Sequence, residues 1–285
     1  MLPIQEKLTR PAEAAFRFGR RLGKAFAFEW HQHPEYELTL IETGRGQRFV
    51  GDHIQEYQPG DLVLLGPDLP HTLASYDDTA DYHRASVVQF SGRWIDPLLD
   101  VTPEARAIHS LLRRSRRGLC FTGPAAQHAL DQMPTMNKRR GMAKVITLLD
   151  LLDRMARNPQ VQPLASPAYT HTTHLADKRI DRVCRFIHDH ATEPITQAQA
   201  ADLAHMSCPA FSRFFKQRVG MTYSRYLHEL RIGHACRLLI ESDAPITEAC
   251  FASGFNNLSN FNRVFRVIKG TSPRHFRQNH TRHDT

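Results

Sequence analysis

Phe211-Ser212-Arg213-Phe214-Phe215-Lys216-Gln217-Arg218-Val219-Gly220-Met221-Thr222 returns fifty positions later as Phe261-Asn262-Arg263-Val264-Phe265-Arg266-Val267-Ile268-Lys269-Gly270-Thr271-Ser272. In each copy the aromatics fall at i and i+4, one stripe of a helix, while Arg213 and Arg263 sit on another face beside Ser212 and Asn262. Each helix therefore has one side to bury and one to present. The closing glycine suits the left-handed residue after a helix, and the Thr or Ser beyond it can start the next element. Before the first copy, residues 198–204 read as a short alanine-rich helix, with His205-Met206 as a turn and Ser207 as N-cap. Before the second, residues 246–252 play the same part, with Gly254 at the turn and Asn256 or Asn257 as cap. A short helix, a tight turn and an amphipathic helix make a helix-turn-helix, whose second helix enters the major groove. Between the units, Tyr223 to Ile240 is spaced as one continuous helix. About eighteen residues give roughly 27 Å of rod, close to the roughly 34 Å between successive major-groove faces.

The segment resembles the paired helix-turn-helix domain of the AraC/XylS family of bacterial transcription regulators. The resemblance is carried by Arg231, Ala235 and Leu238-Leu239 in the linking helix, by Ile246, Glu248 and Gly254-Phe255, and above all by Phe261-x-Arg263-x-Phe265-Arg266-x-x-x-Gly270-x-Ser272-Pro273-x-x-Phe276-Arg277. It covers about a hundred residues. Ala249 and Cys250 depart from the family's usual Ile or Val and Ala. Both are small enough for the turn to survive.

Charge and cysteine usage agree with that direction. Residues 176–285 carry 16 Lys and Arg against 10 Asp and Glu, a net +6 of the chain's +8, so the basic excess lies on the segment that would meet phosphate. Five scattered cysteines form no CxxC pair and no finger spacing, which fits reduced thiols in a cytoplasm. No apolar run is long enough for a membrane span, and no signal-peptide core opens the chain. The expected compartment is the one that holds the DNA.

Working back toward the start, residues 26–90 change to short runs of Val, Leu, Phe and Tyr broken by Gly, Pro and Asp, the pattern of an all-β sandwich or barrel. The clearest strands are Glu37–Thr43, Gly46–Val50, Asp61–Leu65 and Arg84–Phe90, with turns at Gly44-Arg45-Gly46 and Pro59-Gly60-Asp61. This region resembles the cupin-type sensor that often precedes an AraC-type reader. The match rests on His31-x-His33-x-x-x-Glu37, Gly44, Pro59-Gly60-Asp61 and Pro67-x-x-Pro70-His71. His31, His33 and Glu37 share odd parity, so on one continuous strand they would face the same way, although Pro34 interrupts the register.

In a cupin these residues and the later histidine converge inside the barrel on a divalent metal, and three His with one carboxylate suit Zn, Fe, Mn or Ni. The structural alternative is a pocket for a small organic effector lined by the same residues with neighbours such as Tyr36 or Arg48. That pocket is the primary expectation, and the metal is the secondary one.

The expected organisation is multi-domain α+β. A cupin-like β-barrel sensor spans 1–95, a helical segment that could pair two chains spans 96–157, an exposed Pro- and Ser-rich linker spans 158–175, and an all-α double helix-turn-helix spans 176–285. The presented face of the first unit carries Pro209, Ser212, Arg213 and Lys216. That of the second carries Ser259, Asn262, Arg263 and Arg266, with Leu258 near the N-terminus. Arginine suits bidentate contact with guanine and asparagine with adenine, whereas Lys216 and Arg266 are better placed for phosphates. The functional expectation is a non-enzymatic, effector-responsive regulator. Its partners would be double-stranded DNA, a small effector, a second copy of the chain and, for an activator, RNA polymerase. A metal-dependent enzyme fused to a DNA-binding tail is the alternative, and an architectural protein without effector the weakest reading.

Overall fold

The computed structural model describes residues 14–75, 82–167, 169 and 178–281, and the chain divides into two compact units, Leu2–Ala176 and Asp177–Thr285. Among the described residues of the first, nine antiparallel strands form two sheets. Strands β1 (Phe16–Gly23), β7 (His83–Ser91), β2 (Glu35–Thr43), β5 (Leu62–Leu65), β8 (Leu119–Phe121) and β9 (Val161–Pro163) lie in that order, and β4 (His53–Tyr57), β3 (Gly46–Val50) and β6 (His71–Ser75) make the smaller sheet.

Period-two alternation decides what each face holds. Tyr36, Leu38 and Leu40 of β2, with Val88 and Phe90 of β7, join Ile95, Leu111, Ala129 and Leu148 from the helices α1 (Gly92–Asp100), α2 (Arg106–Arg114), α3 (Pro124–Gln132) and α4 (Met142–Arg157). Glu37, Thr39 and Ile41 point the other way, toward the smaller sheet. Burying each large apolar side chain in that helix-side core contributes roughly 1.5–3 kcal/mol. The expected separate helical segment thus shares one core with the larger sheet.

The barrel is open. Among the described residues no ladder joins the two sheets, and the isolated His31–His71 bridge ties the segment before β2 to β6. The linker reading also needs correction over its first part. Val161–Pro163 pairs with β8, Leu164 and Ala165 are buried, and the Asp52 carboxylate accepts from Ser166 N and Oγ at 2.9 and 2.6 Å. Prolines are tolerated there because an edge strand leaves one row of amides unpaired. Residues 168 and 170–175 of the expected linker, and 1–13 of the expected sensor, lie outside the described residues.

The second unit is all helical: α5 (Lys178–Asp189), α6 (Gln197–Leu203), α7 (Cys208–Val219), α8 (Tyr223–Glu241), α9 (Ile246–Ala252), α10 (Leu258–Lys269) and α11 (Pro273–Thr281). Two aromatic cores flank α8. Phe211 and Phe215, 5.5 Å apart, meet Tyr223 and Tyr226, while Phe261 and Phe265, 5.6 Å apart, meet Phe255 and Phe276. Helices α7 and α10 both stop at a left-handed glycine, Gly220 at φ 82° and Gly270 at φ 70°. Thr222 and Asn257 cap α8 and α10 through their side chains, whereas Ser207 stands at the N-cap of α7 without a capping bond.

The turn of the second helix pair is tight. Gly254 has φ 84°, and a Cβ there would lie 2.7 Å from the Thr192 carbonyl oxygen. We expect Gly254→Ala to lower the stability of the helical unit by more than about 2 kcal/mol, combining left-handed strain with that clash. Urea unfolding followed by circular dichroism checks it, and an unchanged midpoint would refute it.

Candidate effector site and candidate nucleic-acid interface

His31, His33, Glu37 and His71 do converge, with one potential ligand atom from each lying within 4.8 Å of all the others. A single strand does not deliver them, because β2 begins only at Glu35 and both His31 and His33 precede it. His31 is held by reciprocal backbone bonds with His71 at 3.1 and 2.9 Å, and the His33 carbonyl accepts from Asp68 N at 2.8 Å. The two sheets bring the four together.

Each imidazole is oriented by a backbone carbonyl. Nδ1 of His31 lies 2.8 Å from Glu29 O, that of His33 3.1 Å from Glu35 O, and that of His71 2.7 Å from Leu69 O. A carbonyl can only accept, so all three Nδ1 atoms carry protons, and a neutral ring then offers a bare Nε2 lone pair. The Glu37 carboxylate is fixed from the other side, by Thr39 Oγ1 at 2.7 Å on Oε1 and Gln89 Nε2 at 2.8 Å on Oε2.

That arrangement leaves charge to be matched. His33 Nε2 stands 3.1 Å from Glu37 Oε2, while the buried Nε2 of His71 has no hydrogen-bond partner and lies 3.7 Å from Oε1. Lone pairs facing a carboxylate are repulsive unless a proton or a cation lies between them. Burial alone would raise the Glu37 carboxyl, but with protons on the His33 and His71 Nε2 atoms their hydrogen bonds and charge outweigh it and hold the group well below the usual carboxylate range. Burial, then the neighbouring His71, pushes His31 down to about 3.

The residues fit a divalent cation. Ligands at roughly 2.0–2.2 Å on opposite sides of an ion stand roughly 4.2 Å apart, so modest inward movement would close the set. Second-shell carbonyls on Nδ1 are how metal-binding imidazoles are usually oriented.

Beside the cluster, between the sheets, is a cavity of about 190 Å³ lined by Arg17, Gly19 and Arg21 of β1 together with Glu29, His31 and Gln89. It is smaller than the roughly 300–1,000 Å³ of pockets for drug-sized ligands. Of the two suggested neighbours, Tyr36 lies on the opposite face of β2, stacked on Phe90 at 5.2 Å, while Arg48, buried in an ion pair with Asp61 at 2.9 Å, lines a smaller adjoining cavity with Glu37, Thr39 and His71. Gln89, Thr39 and the β1 residues went unread in the sequence. Their placement follows from cross-strand register, which puts Gln89 opposite Glu37 and Arg17 opposite Gln89 and which no local pattern of the sequence signals.

In the helical unit Pro209, Ser212, Arg213 and Lys216 are exposed along one side of α7, and Ser259, Arg263 and Arg266 along one side of α10, with Asn262 half-buried. Leu258 departs from its expected role, since it packs against the Phe261 core. Ser212 Oγ donates to Cys208 O at 3.0 Å and accepts from Gln197 Nε2 at 2.7 Å, tying α7 to α6. Arg263 Nη2 donates to Asn260 Oδ1 at 2.8 Å. No local acid claims it among the bonds described.

Comparison with known proteins bears on both units. The family model of an AraC-like ligand binding domain matches residues 17–158, and a helix-turn-helix domain model matches 200–279. The HTH-type transcriptional activator RhaS of Escherichia fergusonii is 35% identical over 268 residues, and RhaS of Citrobacter koseri 33% over 274, each match covering 88% of both chains. Among solved structures, the DNA-binding domain of AdpA in complex with a target DNA is 26% identical over 38% of this chain and 97% of that one, with a TM-score of 0.36. No helix is long and apolar enough to cross a membrane among the described residues. With a ligand-binding unit of that type followed by two helix-turn-helix units, the chain belongs to the AraC family of DNA-binding transcription regulators.

Proposed function

We propose that this regulator reads two successive major grooves with α7 and α10, under control of a small ligand held at the His31, His33, Glu37 and His71 cluster. The observation that carries the reading is the matched pair of exposed faces. Each recognition helix buries its aromatics in its own core and leaves an arginine, Arg213 or Arg263, on the opposite side. Arg213 and Arg263 contact base edges; Lys216 and Arg266 contact phosphates; Pro209, Ser212, Ser259 and Asn262 complete the two surfaces. Leu258 serves packing rather than readout.

The sensor takes a divalent cation at the cluster, where it would polarise and hold an oxygen ligand. Thr39 and Gln89 orient Glu37 for that role, and the three backbone carbonyls orient the rings. Ligand occupancy shifts the population of a DNA-competent state. The direction is activation, as in the names of the RhaS relatives, and it engages RNA polymerase. Met142 and Ile146, 67% and 58% exposed on α4 at i and i+4, support a homodimer of sensor units. The five free cysteines suit a reducing, cytoplasmic setting. A second reading, turnover of a small molecule at the cluster, draws on the same four residues. Product formation by the metal-loaded chain would favour it over sensing.

Arg263→Ala is expected to cost about 1–3 kcal/mol of specific binding and relax preference at one base. Lys216→Ala should instead weaken binding uniformly across sequences and reduce the salt slope by about 1. Mobility-shift titrations against a base-substituted panel separate the two, and a uniform loss for Arg263→Ala would make it a phosphate contact.

The chain should retain one Zn, Ni or Mn ion on dialysis at pH 7.5, and Glu37→Gln or His71→Gln should lose it. Metal content below one-tenth in the wild type would remove the cation from the account. In chelator-treated protein, stability has a definite pH slope. Between the ordinary histidine value of 6.5 and about 3, the unfolded chain takes up a proton at His31 that the folded chain refuses, and His53, held near 4 by burial and Arg48, acts alike. Stability therefore falls as pH falls through that window. His53→Gln is expected to flatten the slope of the urea midpoint against pH, and an unchanged slope would contradict it.

A further inference from the structure

The inner face of β1 reads Arg17-x-Gly19-x-Arg21, and none of the readings so far uses it. Register fixes where these residues point. Arg17 pairs with Gln89, Gly19 with Val87 and Arg21 with Ala85. The Gln89 side chain reaches Glu37 between the sheets, so a residue directly opposite it on β1 faces the same space. All three β1 residues line the cavity beside the histidine cluster. Gly19 leaves open space between the two arginine positions, since a Cβ there would meet nothing within 4 Å, and the Arg21 guanidinium rests 5.0 Å from the centre of the Phe26 ring. A glycine inside a strand marks a place where another group can come close.

The chemistry of the lining narrows what can lie there. Guanidinium groups only donate, in a planar fork that matches a carboxylate. Acceptors for the hydroxyls of a polyol are few: the oxygens of Glu37 are engaged by Thr39 and Gln89, which leaves the Glu29 carboxylate as the other acid of the lining, against the guanidiniums of Arg17 and Arg21. On the far side of the cavity, a cation held by the histidine Nε2 atoms would take an oxygen lone pair; without it those bare Nε2 atoms would accept a hydroxyl proton. We infer that the effector of this sensor is a small dicarboxylate or hydroxycarboxylate. One carboxylate lies over Gly19 between Arg17 and Arg21, and the other oxygen end turns to the histidine cluster. The cavity of about 190 Å³ limits it to a compact molecule. The inference rests on the proposal that the cluster is the effector site, and it assigns the chemical class of the ligand.

The test is calorimetric titration of the metal-loaded full chain with malonate, succinate and malate, with malonamide and a neutral aldose as uncharged probes. At least one carboxylate should bind about tenfold or more tightly than either neutral probe. Arg17→Gln and Arg21→Gln should each weaken it by about tenfold, and Gly19→Leu should abolish it by filling the gap. Metal content and thermal midpoint should be unchanged in all three variants, which shows that the cluster and the fold are intact. A neutral probe binding as tightly as the carboxylates overturns the inference. So does unchanged affinity in the arginine variants, or no carboxylate binding at millimolar concentration in a chain that holds its metal. Arginine-dependent carboxylate binding in a chain that holds no metal sustains the anion assignment and removes only the cation.

Discussion

Arg231 is the side chain on which the geometry of the helical unit turns. It projects from the middle of α8, donates from Nε to Ala191 O at 2.7 Å and from Nη2 to Glu193 O at 2.8 Å, and lies 6.0 Å from the centre of the Phe255 ring. The loop it grips follows α5 and leads into the first helix-turn-helix. Phe255 belongs to the second. The same loop presents Thr192 to Gly254, so the turn of the second unit is seated on backbone that Arg231 has already fixed. Charge-assisted bonds to carbonyls are stronger than neutral ones, and the bond to Ala191 is partly buried. Arg277 does similar work from α11, donating to Leu239 O and Ala244 O at the end of α8. A rod gripped this way at its middle and its end can hold two recognition helices at a constant spacing.

The sensor unit solves a different problem, which is to keep a polar cluster between two sheets without losing their packing. Alternation along β2 separates the tasks. Tyr36, Leu38 and Leu40 go to the helix-side core, and Glu37 and Thr39 to the space between sheets. The cost of burying Glu37 is offset by Thr39, Gln89 and the histidines, each of which is anchored in turn to backbone. Such a network is specific because each member has one orientation. It is incomplete because His71 Nε2 has no partner. A cluster whose Nε2 lone pairs face a buried carboxylate, with that of His71 unpaired, is poised for a ligand.

Much of this was legible in the sequence, for identifiable reasons. The two recognition helices announce themselves because aromatics at i and i+4 and a closing glycine are local signals, and both Gly220 and Gly270 take the left-handed conformation those signals require. The histidine cluster was legible as a set but not as a geometry. Strand parity suggested one strand, whereas a backbone bridge between His31 and His71 does the positioning. Strand β9 was hidden by its prolines, which look like linker until an edge position makes them acceptable. Gln89, Arg17 and Gly19 could not be assigned because their roles depend on cross-strand register, a long-range property that no local pattern encodes. Leu258 looked like a groove residue by helical position, and only the packing of the second core reveals that it points inward.

The central claim is that two helices on one rod read two neighbouring grooves. Hydroxyl-radical and methylation-protection footprinting on the promoter DNA tests it most directly. The account requires two protected segments on the same face of the duplex, about one helical turn apart, with Arg213→Ala erasing guanine protection in one and Arg263→Ala erasing it in the other. A single protected segment, or the same segment lost in both variants, would contradict it.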